Sequence, residues 1–192
     1  MKIFFILTFI LFFKFNNLYS EVIVPIKEGN ENSDIKIIVY ESLTCSHCAN
    51  FHNNVYPDLK REFIDTSLIS IEFKNFPLDL AALNASKLAH CKNDGSSMVL
   101  HYLYKFQSEW IKGSNILDIN NNLKKILQSK NIDLNFESCI NDKNIEDFIL
   151  EERISGSRQF DIQSTPTLII NNKKFEKKLN FKNLKKTIEK ML

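Results

Sequence analysis

The sequence predicts an α/β fold in which a long helical segment separates two strand-containing parts. Two near-continuous apolar runs, 35–40 and 167–170, have the character of strands and lie far apart in the chain. Between them, almost all of 80–160 has helical periodicity. A Cys-x-x-Cys pair follows the first run and a Thr-Pro pair precedes the second. These observations indicate two α/β segments joined by a helical insertion.

The first part of the chain predicts three strands. A polar lead contains one short β-like piece at 22–26, and the apolar run 35–40 favours a strand buried on both faces. Residues 69–74 alternate strictly between apolar and polar, which predicts a strand with one apolar face. Pro77 ends this third strand.

The segment between the second and third strands predicts a helix with one apolar face. Its apolar residues recur at spacings of three and four: Cys48, Phe51, Val55, Leu59 and Phe63. Cys48 therefore points inward, and Cys45 stays at the exposed first turn. Pro57 lies inside the pattern, so we expect a kink or a new helix there, because its ring clashes with the preceding turn.

The rest of the chain predicts an all-helical stretch and then a short α/β end. The predicted helices are 80–91, 98–110, 116–130 and 145–160. The end comprises predicted strands 167–170 and 173–177, a turn at 171–172, and a helix at 181–192. The element order is that of a thioredoxin-like fold with an all-helical insertion. We assign 21–78 and 144–192 to the thioredoxin-like domain and 79–143 to the insertion.

The N-terminus predicts a secretory signal peptide at 1–20, cleaved near Ser20. A basic start is followed by an apolar run to Phe13 and then by polar residues. The apolar run is shorter than the about 20 residues of a membrane span. A retained N-terminal anchor is the alternative. The export signal predicts a periplasmic location, where disulfide chemistry is permitted.

The charge balance argues against a nucleic-acid partner. The chain has 25 Lys and Arg and 23 Asp and Glu. Removal of 1–20 takes away Lys2 and Lys14 and no acid, so the two signs then balance. Nucleic-acid binding needs a basic surface, which this composition does not predict.

The leading chemical hypothesis is a redox dithiol formed by Cys45 and Cys48, with Ser46 and His47 between them. The motif lies where a strand ends and a helix begins. A helix N-terminus carries partial positive charge and free N–H groups, and His47 can add a donor or a charge. All three lower the pKa of the Cys45 thiol, and the thiolate is the reactive form. Cys48 would then resolve the mixed disulfide.

Two other interpretations of the same motif stay open. Cys45, Cys48 and His52 have a spacing that can hold zinc or copper, although no fourth ligand is evident nearby. An inert structural disulfide between the two cysteines is the other. The redox interpretation requires no cofactor and no metal.

Thr165 and Pro166 are candidate substrate-binding residues. They stand immediately before a predicted strand, about 120 residues after the dithiol. A cis Pro at such a place leaves the preceding backbone free to pair with an extended peptide. The Thr165 hydroxyl can also contact the active sulfur.

Together these features resemble the DsbA family of exported thiol:disulfide oxidoreductases. The resemblance is carried by Thr44-Cys-Ser-His-Cys48 after a buried strand, by Thr165-Pro166 before another, and by the helical insertion. It implies Cys45 as nucleophile, Cys48 as resolving thiol, Ser46 and His47 as the tuning dipeptide, and Thr165-Pro166 as a cis-Pro loop. It also implies reoxidation by a membrane partner of the DsbB type.

The chain departs from this family at two positions. Many members have Pro at the place of Ser46, and many have a buried acid at the place of Val39. Glu41 lies two residues further on, hence on the same strand face, and can act as a proton relay for Cys48. An exposed carboxylate without such a role is the alternative for Glu41.

Cys91 and Cys139 are expected to form a second, structural disulfide within the helical segment. In the chain-entropy model this closure stabilises the fold by about 4 kcal/mol. Some exported relatives have an extra pair there, which supports the pairing. Two buried free thiols are the alternative.

The sequence thus predicts a monomeric exported oxidase that accepts electrons from the reduced cysteines of exported proteins. A disulfide isomerase or reductase of the same fold is the nearest rival, although isomerases of this fold usually carry an N-terminal dimerisation domain. A module that binds copper or zinc through the same thiols is the rival from another class.

Overall fold

The computed structural model describes residues 21–192, so the predicted signal peptide and its cleavage site near Ser20 lie outside the described residues. Five strands form one mixed sheet in the order β1-β3-β2-β4-β5. The strands are β1 Ile26–Gly29, β2 Ile35–Glu41, β3 Ile69–Asn75, β4 Thr167–Ile170 and β5 Lys173–Lys174. Strands β2 and β3 are parallel, and the other neighbouring pairs are antiparallel.

Helices cover both faces of the sheet and fill the stretch between β3 and β4. They are α1 Ser46–Asn54, α2 Tyr56–Leu59, α3 Leu80–His90, α4 Met98–Lys105, α5 Gln107–Trp110, α6 Ile116–Ser129, α7 Phe136–Asn141, α8 Lys143–Phe160 and α9 Phe181–Ile188. A π-helical turn, Lys60–Ile64, continues α2. Within the described residues, no helix combines the length and the apolar character needed to cross a bilayer. This architecture confirms the predicted α/β fold with a helical insertion.

The first strand is the clearest error of the sequence prediction. The predicted strand 22–26 is wrong, because pairing with β3 begins only at Ile26, opposite Phe73. Val22 and Val24 are exposed, and the Val24 N–H donates to the Asn93 side chain instead. Of the four residues that pair, only Ile26 is buried and Lys27 is exposed, as expected for an edge strand with one face in water.

The break at Pro57 was predicted correctly. Helix α1 ends at Asn54, and α2 begins at Tyr56 with Pro57 in its first turn. Proline fits there because the first N–H groups of a helix have no intrahelical partner. The apolar face continues across the break, so Leu59 and Phe63 stay in the core.

Several other helices and strands differ from the predicted ones. The predicted helix 98–110 divides at Phe106, whose backbone leaves the helical region. Helix α7 was missed. Helix α8 begins at Lys143, two residues before its predicted start, and Asp142 caps it by accepting from the Ile145 N–H. At the C-terminal end, β5 is shorter than 173–177 and α9 ends before 192. Side-chain caps set the starts of α7 and α8. The spacing of apolar residues, on which the prediction depended, does not indicate such caps.

Two clusters of buried side chains enclose the sheet. The odd-numbered residues of β2 pack with α1, and Tyr40 packs on the opposite face with Phe160 and Ile162 around α8. Both faces of β2 are therefore buried, as its apolar run predicts. Since Glu41 has the parity of Val39, its side chain lies on the α1 face.

Candidate active site

The two thiols lie at the N-terminus of α1, at the end of the central strand. Cys45 is the N-cap residue and is half-buried, whereas Cys48 is in the first turn and fully buried. A turn closed by the Cys45 N–H to the Ser42 carbonyl brings the chain from β2 into the helix. Both cysteines are free thiols in this structure. The exposed and inward positions predicted for them are the observed ones.

The surroundings of Cys45 favour its thiolate. Its pKa is lowered to about 5, first by the Cys48 thiol, which can donate to the anion, and against the opposing effect of burial. Thr165 and the backbone N–H groups of Cys48 and His47 lower the pKa further. The N–H groups are those that a helix leaves unpaired in its first turn. At neutral pH Cys45 is therefore ionised.

Cys48 has the opposite character. Burial raises its pKa far above that of a free thiol, and the neighbouring Cys45 and Glu41 raise it further. The pair therefore carries one negative charge, on the sulfur that solvent can reach. When Cys48 leaves a disulfide it must gain a proton, because a buried unpaired thiolate is costly.

Ser46 and His47 are exposed between the two cysteines. The contribution that His47 makes to the Cys45 thiolate comes through its backbone N–H. The sequence hypothesis named both the free N–H groups of the first turn and the His47 side chain, and the structure supports the contribution of the N–H groups. Helix geometry alone supplies this donor, whatever the side chain.

Thr165 and Pro166 lie directly across from Cys45. The Thr165–Pro166 peptide bond is cis, and when Cys45 is protonated its Sγ donates to the Thr165 carbonyl oxygen, 3.3 Å away. The Thr165 hydroxyl oxygen is buried without a hydrogen-bond partner in the described chain, so it is free to donate to a thiolate. A cleft beside the pair is lined by His47, Asn50, Phe51, Val55, Thr165, Pro166 and Leu179.

The helical insertion reaches the active-site loop through Gln107. The buried Gln107 side chain donates to the Leu43 carbonyl at 2.8 Å and to the Cys45 carbonyl at 3.0 Å. Asp79 makes a second link, accepting from the Thr44 hydroxyl at 2.8 Å while it caps α3. Sequence analysis found neither contact, because nothing in the local pattern distinguishes Gln107 from a surface residue.

Glu41 is buried, so the alternative of an exposed carboxylate is wrong. Its Oε2 lies 2.6 Å from His52 Nε2, and burial raises its pKa well above the ordinary value. Two more hydrogen bonds extend this contact: His52 Nδ1 lies 2.9 Å from His101 Nδ1, and His101 Nε2 lies 2.8 Å from Glu28 Oε1. We call Glu41, His52, His101 and Glu28 the acid–histidine chain.

The outer end of the acid–histidine chain is Glu28, on the edge strand. Its Oε1 also accepts from Tyr56 and Ser97, and its Oε2 accepts from Lys60. These donors outweigh burial and hold the Glu28 pKa well below the ordinary value. Sequence analysis did not identify His101 as a site residue. A partial signal did exist: His52 is four residues after the inward Cys48, hence on the same helix face, next to the face of Glu41.

Cys91 and Cys139 form a disulfide that joins the end of α3 to α7. In residues 21–192, no group of three or more His, Cys, Asp and Glu side chains is arranged to hold a metal ion. Both ring nitrogens of His52 are engaged by Glu41 and His101, so His52 is not available as a ligand beside the two thiols.

Comparisons with known proteins agree with this architecture. The family described as "Thioredoxin" matches residues 22–190. The crystal structure of Wolbachia pipientis alpha-DsbA1 has 29% sequence identity and a TM-score of 0.76, and covers 86% of this chain and 89% of that chain. Disulfide bond formation protein D of Bacillus subtilis is 23% identical over 175 residues, which are 85% of this chain and 75% of that protein.

Relatives from Rickettsia match shorter parts of longer proteins. The Rickettsia bellii relative, provisionally named a protein-disulfide oxidoreductase, is 39% identical over 84 residues, 43% of this chain. The chain spans 32% of the length of that protein and 60% of the length of the Rickettsia prowazekii relative. From the extent of the family match and the shared fold, this chain belongs to the thioredoxin family, as a DsbA-family thioredoxin-fold protein.

Proposed function

We propose that this protein is a thiol:disulfide oxidoreductase that introduces disulfide bonds into exported proteins through the Cys45-Ser46-His47-Cys48 dithiol. The observation that carries the proposal is the opposite shift of the two thiol pKa values, lowered for Cys45 and raised for Cys48. A stabilised thiolate favours the reduced dithiol, which makes the disulfide form a stronger oxidant. The names of the relatives support the same class of reaction.

The reaction begins with the protein in its Cys45–Cys48 disulfide form. A client thiolate attacks the accessible Cys45 sulfur, the bond between the cysteines breaks, and Cys48 leaves with the electron pair. A second client thiolate then attacks the client sulfur of the mixed disulfide and releases Cys45 as a thiolate. The client loses two electrons and the protein gains them. The stabilisation of the Cys45 thiolate makes Cys45 the better leaving group in this second step.

Client binding is assigned to Thr165, Pro166 and the cleft beside Cys45. The cleft adjoins both the sulfur and the cis peptide, so an extended client backbone would lie across the reacting atom. In this proposal Ser46 and His47 tune the pair, and Cys91–Cys139 is a structural crosslink within the insertion at 79–143. The signal at 1–20 would export this protein to the periplasm. Its clients there are reduced exported proteins, and a membrane reoxidase of the DsbB type restores the Cys45–Cys48 disulfide.

The test is oxidation of a reduced peptide that contains two cysteines. We expect the oxidised wild-type protein to convert the peptide to its disulfide in stoichiometric amount, and Cys45→Ala to have no activity. Cys48→Ala, first loaded at Cys45 with glutathione as a mixed disulfide, is the matched control, since it keeps the reactive Cys45 sulfur and should still oxidise one peptide with release of glutathione. Absence of peptide oxidation by the wild type would reject the proposal. Reactivation of scrambled ribonuclease faster than peptide oxidation would favour an isomerase instead.

A further inference from the structure

The hydrogen bonds of the acid–histidine chain fix how many protons it holds. Its four groups make three consecutive hydrogen bonds, and each bond needs one proton between its two atoms. Two neutral histidines bring two protons. The third proton must either belong to one of the two carboxyl groups or convert one histidine into a cation. The complete chain therefore holds one proton more than two carboxylates and two neutral rings.

The surroundings place that additional proton on Glu41. Burial raises the pKa of Glu41, whereas burial lowers the pKa of His52 and of His101, which keeps both rings neutral. Glu41 then donates through Oε2 to His52 Nε2. Each ring in turn donates outward, His52 through Nδ1 and His101 through Nε2 to the Glu28 carboxylate.

The inner end of the acid–histidine chain faces the active-site thiol. Glu41 Oε1 and the Tyr104 hydroxyl are both fully buried without a hydrogen-bond partner in the described part of the protein. Tyr104 stacks on His52, with ring centroids 4.0 Å apart. A negative charge on Glu41 or on Cys48 raises the pKa of Tyr104, so its hydroxyl is close to both groups. Tyr104 is thus placed to bridge Cys48 and Glu41 Oε1.

The outer end opens at a groove away from the client cleft. The side chains of His101 and Glu28 are 24% and 13% exposed. The groove is lined by His52, Asn53, Tyr56, Pro57, Lys60, Arg61, Asp65, His101 and Lys105. It shares no lining residue with the cleft, which uses His47, Asn50 and Phe51 of the same helix. At 3.6 residues per turn these two sets lie on opposite faces of α1.

We propose that the acid–histidine chain, extended by Tyr104, carries the proton that Cys48 gains and loses during disulfide exchange, through a surface that a bound client leaves open. This inference rests on the proposed oxidoreductase function. It assigns proton-relay roles to His52, His101, Glu28 and Tyr104, and it gives Glu41 a route to solvent.

The proton transfers balance the exchange reaction. The structure, with both cysteines as free thiols, has the proton arrangement of the reduced protein. In the oxidised protein Glu41 carries its proton on Oε1, and each ring carries its proton on the nitrogen nearer Glu41. When a client thiolate breaks the Cys45–Cys48 bond, the Cys48 thiolate takes a proton from Tyr104, which regains one from Glu41 Oε1. Glu41 regains a proton at Oε2 from His52, and each chain proton moves one bond inward. Solvent supplies one proton at Glu28. Reoxidation reverses every transfer, and neither imidazole ring has to turn, because Glu41 uses one oxygen for each direction.

The test is the rate of reduction of the oxidised protein by a two-cysteine peptide, in a single turnover. A positioned proton donor typically accelerates a reaction by about 100-fold or more. We therefore expect His101→Ala to slow formation of the Cys48 thiol by about 10- to 100-fold. Added imidazole should restore the rate, whereas 1-methylimidazole should not, because it has only one nitrogen that can exchange a proton. The Cys45 thiolate midpoint should stay as in the wild type.

Two further variants keep the test decisive. His101→Gln retains volume and hydrogen bonding but cannot pass a proton, so it should be slow even if His101→Ala fails to fold. His90→Gln removes a different buried histidine, which bonds Asn75, and should react at the wild-type rate. Equal rates for His101→Ala and wild type, no rescue by imidazole, or equal rescue by both imidazoles would overturn the relay. A wild type that cannot oxidise the peptide would instead reject the proposed function.

Discussion

At the scale of single residues, burial separates chemically identical side chains. Cys45 and Cys48 are three positions apart, yet one faces solvent and free N–H groups and the other lies in the core. The same holds for carboxyls: Glu28 is surrounded by donors and keeps its charge, whereas Glu41 is buried against a neutral ring and favours a proton. The direction of each shift follows from which form the surroundings stabilise.

Glu152 gives a prediction about pH and stability. It lies on α8, almost fully buried, and accepts from the Asn75 backbone and side-chain N–H groups. Burial raises its pKa to about 7 in the folded state, from 4.5. The neutral acid is therefore favoured by folding, so its stabilising contribution is complete below pH 4.5 and is lost as the pH rises to 7.

We expect Glu152→Gln to remove this part of the pH dependence. Urea unfolding at pH 5 and pH 8 should show that wild type loses more stability than the variant between the two values. The comparison cancels the opposite effect of the buried His90, which both proteins retain. Identical differences in the two proteins would show that Glu152 does not titrate as described.

At the scale of elements, close packing of α8 on the sheet depends on Gly156. A Cβ atom at this position would lie 2.4 Å from Tyr40 Cε1, far inside van der Waals contact. Alanine favours a helix over glycine by about 1 kcal/mol, but the clash outweighs that gain, since overpacking typically costs about 1–3 kcal/mol. Gly156→Ala should therefore lower the free energy of unfolding. Ser157→Ala, on the exposed face of α8, is the control and should not.

Gln107 gives a second prediction at this scale. Its two hydrogen bonds hold the loop that precedes Cys45, and their loss leaves two carbonyls with fewer donors. We expect Gln107→Ala to reduce stability by about 1–3 kcal/mol in urea unfolding. The exposed Gln128→Ala should leave it unchanged. Equal effects of the two substitutions would mean that the insertion does not support the active-site loop through Gln107.

Elements that depend on local pattern were predictable from the sequence, and elements that depend on distant partners were not. The apolar run of β2, the alternation of β3 and the break at Pro57 each follow from their own residues. Strand β1 was misplaced because its pairing with β3 decides which residues are extended. The acid–histidine chain joins β1, β2, α1 and α4, so no single segment of sequence indicates it.

At the scale of the whole molecule, the Cys91–Cys139 bond closes a loop within the helical insertion. The two residues are 48 positions apart, and the chain-entropy model assigns about 4 kcal/mol to such a closure. We expect the double variant Cys91→Ala/Cys139→Ala to unfold at a lower urea concentration than the wild type, with a free energy of unfolding lower by about 4 kcal/mol. Its Cys45 thiolate midpoint should be unchanged, since the disulfide is not among the groups that lower the Cys45 pKa. A variant as stable as the wild type would contradict the crosslink's structural role.

The fold as a whole brings three separate segments to Cys45. The end of β2 and the start of α1 supply the residue and its helix N–H groups, the chain before β4 supplies the Thr165 side chain, which lowers the Cys45 pKa, and the insertion supplies Gln107, which donates to the Cys45 main-chain carbonyl. The thiolate is consequently a property of the folded molecule. Unfolding should return the Cys45 pKa to that of a free thiol, which links the redox state of the pair to stability.

Titration of the Cys45 thiolate tests the central claim most directly. The ultraviolet absorbance of the thiolate is measured against pH on the reduced protein, with Cys45→Ala as the blank. The structure predicts a midpoint about 4 pH units below the ordinary cysteine value of 9.0, near pH 5, that is absent in Cys45→Ala. A midpoint near 9 in the folded wild-type protein would contradict the proposed mechanism.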